Sequence, residues 1–225
     1  MTDRAGELDA ATIAIDPASL EAAKAAITES CQEYIRWANL FSRRLETVEP
    51  SELHKFARAL VLTMLGHLPT RPGTCPFCIQ YGRDRSCQGC GYGVTHGRCD
   101  DENSAFSRFI EAFQELGRVV YQDITAKDAE KDAAKETEPD GENESSNESR
   151  CHPMNSKEQL CEFIVATTES ARRMHEDLPT LGTMKLMEKK AAYLDHMISL
   201  IPRDIFSADV CERCRIVRKA LNDYW

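Results

Sequence analysis

Five cysteines between residues 75 and 99 follow the pattern C-x2-C-x8-C-x2-C-x8-C: Cys75, Cys78, Cys87, Cys90 and Cys99. So many thiols in one short segment must be buried, oxidised or ligated. The spacing favours ligation. A two-residue spacer lets the backbone turn so that both sulfurs face one ion, at about 2.3 Å for zinc. Gly82, Gly89, Gly91, Gly93 and Gly97 allow the chain to curl tightly, and Pro76 and Gly91 each follow a cysteine, as a metal knuckle requires. Zinc, Zn2+, suits four thiolates, or three thiolates and an imidazole; a [4Fe-4S] cluster takes four cysteines and is the alternative cofactor.

The segment offers more ligands than one ion needs, because His96 joins the five thiols. In one partition Cys75, Cys78, Cys87 and Cys90 share an ion and Cys99 is spare. In the other, Cys75 and Cys78 meet a distant pair, Cys211 and Cys214, while Cys87, Cys90, His96 and Cys99 form a second site. The local partition is preferred, since it needs no long-range loop closure. Cys87-x2-Cys90-x5-His96-x2-Cys99 resembles a zinc knuckle, although the usual gaps differ.

Metal ligation also fits the compartment. Residues 1–10 are acidic with no apolar stretch, so no secretion signal is visible. The longest apolar run without Lys, Arg, Asp or Glu, Ala59 to Thr70, is too short to span a membrane. The expectation is a soluble, cytoplasmic protein in which ten cysteines stay reduced.

The rest of the chain reads as helix. Asp16-Pro17 is a cap followed by a first-turn proline. Leu20, Ala23, Ile27, Cys31, Tyr34, Ala38, Phe41 and Leu45 then recur at steps of three or four, as one helical stripe. Pro50 opens a second helix, with Leu53, Phe56, Ala57, Leu60, Met64 and Leu68 inward, and Pro69 ends it. Ser104 or Asn103 caps a third, carrying Phe106, Phe109, Ile110, Phe113, Leu116 and Val120. Later, Ser156 and Gln159 form a capping box before the stripe Leu160, Ile164, Thr167, Ala171, Met174 and Leu178. No alternating strand pattern competes.

This later stripe repeats the first at an offset of 133, so that Ile27 meets Leu160 and Tyr34 meets Thr167. Phe56–Pro69 aligns without gaps on Lys189–Pro202, and each half then presents C-x-x-C, at Cys75 and at Cys211. The expected fold is therefore all-α, with two duplicated antiparallel helix pairs and a cysteine-rich metal-binding loop in the first half. The expected organisation is a disordered N-terminus (1–15), a first helical repeat (16–125) holding the metal loop (73–100), an acidic linker (126–155) and a second repeat (156–225). Residues 126–150 hold nine acidic and four basic residues and no large apolar one, so they cannot offset the entropy of ordering.

Catalytic signatures are missing: there is no H-E-x-x-H, G-x-S-x-G or P-loop. Cys75-Pro-Phe-Cys78 resembles the active-site tetrapeptide of glutaredoxins, which implies thiol–disulfide exchange in a sheet-containing fold; the likeness covers four residues. Arg71, Arg83, Arg85 and Arg98, with Phe77, Tyr81 and Tyr92, offer a local nucleic-acid surface, but the net charge of −9 repels a polyanion. Cys211 and Cys214 share a face in the first turns of a helix capped by Ser207, where the helix terminus favours thiolate. Cys31 and Cys161 are expected in the core, and Cys151 adjoins the linker. The reading is a zinc-binding, non-catalytic interaction or scaffold module with a protein partner. The alternative is an iron–sulfur protein for electron transfer or an accessory subunit of a redox enzyme.

Overall fold

The computed structural model describes residues 4–82, 87–135, 157–203 and 206–225, with the backbone alone for residue 4 and residues 123–135. Among the described residues the fold is all-helical, without strands: α1 (Arg4–Ile13), α2 (Pro17–Leu45), α3 (Leu53–Gly66), α4 (Pro76–Tyr81), α5 (Gly91–His96), α6 (Ala105–Lys135), α7 (Lys157–Asp177), α8 (Thr183–Ser199) and α9 (Ala208–Tyr224). No helix among them is long and apolar enough to cross a membrane.

The local signals act as their chemistry requires. Asp16 Oδ1 accepts the Ser19 amide at 2.7 Å and Pro17 opens α2. The Ser104 hydroxyl accepts the Ser107 amide at 3.0 Å and starts α6. The stripe of α2 is buried at Ala23, Ile27, Cys31, Tyr34, Ala38 and Leu45, and that of α7 at Leu160, Ile164, Thr167, Ala171, Met174 and Leu178.

Helices α2 and α7 pack antiparallel. Lys24 Nζ donates to Pro179 O at 3.2 Å, Tyr34 Oη to Thr167 Oγ1 at 2.6 Å, and Lys157 Nζ to Glu46 O at 2.8 Å. Helices α6 and α9 also run antiparallel: Arg213 lies 3.8 Å from Glu115 near one end, and Tyr224 stacks on Phe109 at the other. Helix α3 packs on α6, and α8 on α9. The whole encloses one continuous core, to which both ends of the chain contribute, as with Ile27, Leu60, Leu116, Leu160, Leu194 and Val217.

Two expectations are revised. Residues 4–13, expected disordered, form α1, which packs on α5 and α8. The acidic composition hid a short apolar face, Leu8, Ala11 and Ile15, spaced to lie along one side of a helix. Helix α6 runs to Lys135, well inside the segment read as linker, because its first part is rich in Ala and Lys. The rest of that segment, with Cys151 and Ser156, lies outside the described residues. Cys31 is buried as expected, whereas Cys161 is exposed on α7.

Candidate metal centre

The cysteine segment is built by punctuation. After α3, Pro69 and Pro72 forbid further helix, and the Thr74 hydroxyl ties the turn by donating to Arg71 O (2.7 Å) and Pro69 O (2.8 Å). Cys75 then occupies the N-cap of α4 with Pro76 in the first helical position, leaving Cys78 in the first turn. Residues 83–86, including Arg83 and Arg85, lie outside the described residues. The chain re-enters at Cys87, whose φ of 49° is left-handed, with Gly89 at 76°. That knuckle places Cys90 at the N-cap of α5. Gly97, at φ 83°, ends α5 and turns the chain back to Cys99, whose carbonyl accepts the Ser107 hydroxyl of α6 at 3.0 Å.

This path gathers the thiols. Cys78 has hydrogen-bonding neighbours in both Cys75 and Cys99, and Cys90 interacts electrostatically with Cys75 and Cys87. Tyr92, buried beside them, feels Cys99, Cys75, Cys78 and Cys90. Cys99, expected as the spare thiol, is thus a direct neighbour of Cys78, while Cys87 borders Cys90. Backbone donors also face the sulfurs: the Cys78 amide points at Cys75, and the Gly93 and Tyr92 amides at Cys90. Among the described residues, however, no three Cys, His, Asp or Glu side chains stand in a ready-made metal-ligating arrangement.

Crowding and burial favour the protonated form of Cys75, Cys78 and Cys90. The hydrogen bond with Cys78, then burial, holds Cys75 well above the usual thiol range. Contact with Cys75 lowers Cys78, but its hydrogen bond with Cys99 and its burial outweigh this and push it up to about 12. Burial raises Cys90. The segment is partly enclosed, with Cys75, Cys90, Phe77 and Tyr92 buried.

The sequence reading missed the residues that close the site from outside. Lys190 of α8 is only 2% exposed, and its Nζ donates to Thr74 O at 3.3 Å and lies 5.6 Å from the Tyr224 ring centroid. Burial lowers its pKa; Cys75, Cys78 and Cys99 oppose that shift. The available signal was a lysine at a position of α8 that aligns with the buried Ala57. Tyr92 Oη donates to Tyr224 O at 2.7 Å, and Phe77, Tyr92 and Trp225 pack around one another.

Other candidates fall elsewhere. The His96 ring stacks on Tyr92 at 4.3 Å, and its Nδ1 pairs with the Thr95 hydroxyl at 2.7 Å. Cys211 and Cys214 lie near the start of α9, about 15–20 Å of helix from Tyr224, which packs near the loop thiols. They border a cleft of about 520 Å³ with Arg203, Phe206 and Arg218. The structure therefore does not bring this pair to Cys75 and Cys78. Ser207 holds the N-cap position without a side-chain cap bond. Cys214 is not activated: burial, with Cys211 beside it, pushes it up to about 11. Of the residues read as a local nucleic-acid surface, Phe77 and Tyr92 are buried, and Arg98 pairs with Asp100 at 2.7 Å.

No family model matches the chain, and neither a curated protein nor a solved structure matches it.

Proposed function

We propose that residues 73–100 form a thiolate zinc site and that the protein is a non-catalytic interaction module, presenting its helical faces to a protein partner. The observation that carries this reading is the gathering of Cys75, Cys78, Cys90 and Cys99 around Tyr92, with backbone amides directed at two of the sulfurs. Hydrogen bonds donated to sulfur favour thiolate, and a bound cation supplies the rest of the drive to ionise. Those four cysteines would hold the ion, with Cys87 beside Cys90 as the alternate ligand. Zinc would order a loop whose own apolar content is small.

A thiol–disulfide enzyme is disfavoured. Cys75, which stands where an attacking thiol would, is 5% exposed, and its hydrogen bond with Cys78 and its burial raise rather than lower its pKa, whereas a nucleophilic thiol needs exposure and a lowered pKa. The second reading is an iron–sulfur protein for electron transfer. Its support is the burial of Cys75 and Cys90 together with Phe77, Tyr92 and Tyr224, since low solvent exposure tunes and protects such a cluster.

The helical duplication is part of the same proposal. Leu53, Ala57, Leu60, Val61, Met64 and Leu65 are buried on α3, and Leu186, Lys190, Tyr193, Leu194, Met197 and Ile198 are buried at the aligned positions of α8. Packing of α2 on α7 and of α6 on α9 fits a pseudo-twofold relation between two three-helix units, the cysteine loop being an insertion in the first.

The test is metal analysis and an optical spectrum of protein purified without oxygen. A colourless protein with one zinc per chain supports the first reading, and a brown one with iron and sulfide the second. A metal-free protein in both rich and metal-supplemented preparations would refute both.

A further inference from the structure

Lys190 is an anomaly in a helix otherwise lined with apolar side chains. Its neighbours on the buried stripe are Leu186, Met187, Tyr193 and Leu194, and the aligned position of α3 is Ala57. A lysine almost never enters a core without a negative partner, because a bare ammonium there costs several kcal/mol. Among the described residues no carboxylate is paired with Lys190. It has instead one carbonyl, Thr74 O, immediately before Cys75 in the chain, and the face of Tyr224. Both contacts hold Nζ at the start of the cysteine loop, one residue from Cys75 and within electrostatic reach of Cys75, Cys78 and Cys99, the thiols that would become anionic on binding a metal.

We propose that Lys190 is the built-in counter-cation of the thiolate site, supplied by the second half of the chain to a metal centre in the first. A divalent ion with four thiolates carries a net charge of −2, and burying that charge is unfavourable unless something offsets it. A fixed ammonium at the edge of the site offsets part of it and favours the full four-thiolate set over one that substitutes neutral His96. Metal binding then also tightens α8 against the loop, which links the two halves through one charge. An ammonium has no lone pair to ligate with, so Lys190 is a positioning and charge-balancing residue, and its role rests on the metal reading above.

The experiment uses the full chain as wild type, Lys190→Met and Lys189→Met. Each is titrated with zinc against a chromophoric chelator, and each metal-free form is melted. Methionine matches the shape of lysine and removes the charge. The expected result is one zinc in the wild type and an affinity about 10- to 100-fold weaker in Lys190→Met, the range for loss of an outer-shell partner. The metal-free Lys190→Met should melt at or above the wild-type temperature, because an uncompensated buried charge is gone. Lys189→Met, an exposed neighbour paired with Asp177, should bind zinc like the wild type. Unchanged affinity in Lys190→Met overturns the proposal while leaving the metal site standing. So does a weaker affinity accompanied by a lower metal-free melting temperature, which marks a packing role, or an equal loss in Lys189→Met. A wild type that takes up no zinc fails the metal reading itself.

Discussion

Tyr34 Oη donates to Thr167 Oγ1 at 2.6 Å, and the two residues are separated by 133 positions, the offset at which the stripes of α2 and α7 match in sequence. Both are fully buried, where α2 crosses α7. Thr167 in turn donates to Phe163 O at 2.7 Å, so the two hydroxyls form a short relay inside an apolar interface. Tyr34→Phe leaves Thr167 still bonded and should cost about 1 kcal/mol of unfolding free energy. Thr167→Val strands a buried phenol and should cost more, about 1–3 kcal/mol. The double variant should lose less than the sum, because removing both partners leaves nothing unsatisfied. Denaturant titration of the four proteins checks the order.

A second expectation concerns α1. A Cβ at Gly91 would collide with the Ala11 side chain, so α5 accepts α1 only because this position is bare. Elsewhere in a helix Gly→Ala stabilises by about 1 kcal/mol. Here Gly91→Ala should destabilise and raise amide exchange over residues 4–13. Ala11→Gly in the same protein should restore protection. The bonds between Gln80 and the α1–α2 junction, to the Asp16 amide at 2.7 Å and to Ala14 O at 3.1 Å, should confine the change to α1.

Cys31 and Tyr34, both buried on α2, give a pH test. Burial, against a hydrogen bond with Tyr193, raises Cys31 to about 12, and burial, against the Thr167 bond, raises Tyr34 to about 12. Both groups fold in their protonated form. Their contribution to stability is full below their ordinary values, near 9 and 10, and is lost as pH rises towards 12. Stability should therefore fall across that alkaline window, and Cys31→Ala should make the fall shallower. At neutral pH a thiol reagent should label exposed Cys161 in the folded protein and spare Cys31.

Helices were legible in the sequence because their information is local. Asp16 and Pro17 carry a start signal, and a stripe such as Ile27, Cys31, Tyr34, Ala38 carries a buried face. The tight turns at Gly89 and Gly97 were legible too, since closely spaced glycines mark places where the chain must curl. What was hidden depends on distance along the chain. Lys190 lies far from Cys75 in sequence and reads as an ordinary surface lysine until α8 packs on the loop. The aromatic wall of Tyr92, Tyr224 and Trp225 likewise joins the loop to the last residues of the chain. Cys211 and Cys214 mislead for the same reason: their spacing matches Cys75 and Cys78, but α9 points that end of itself away.

The most direct test of the thiolate site is zinc stoichiometry per chain in Cys78→Ser and Cys211→Ser, beside the wild type. Cys78 sits between Cys75 and Cys99, whereas Cys211 faces a separate cleft. The expected result is one zinc in the wild type, none in Cys78→Ser and one in Cys211→Ser, with the helical signal of Cys78→Ser largely kept. Full zinc retained by Cys78→Ser, or none bound by the wild type, would contradict the account.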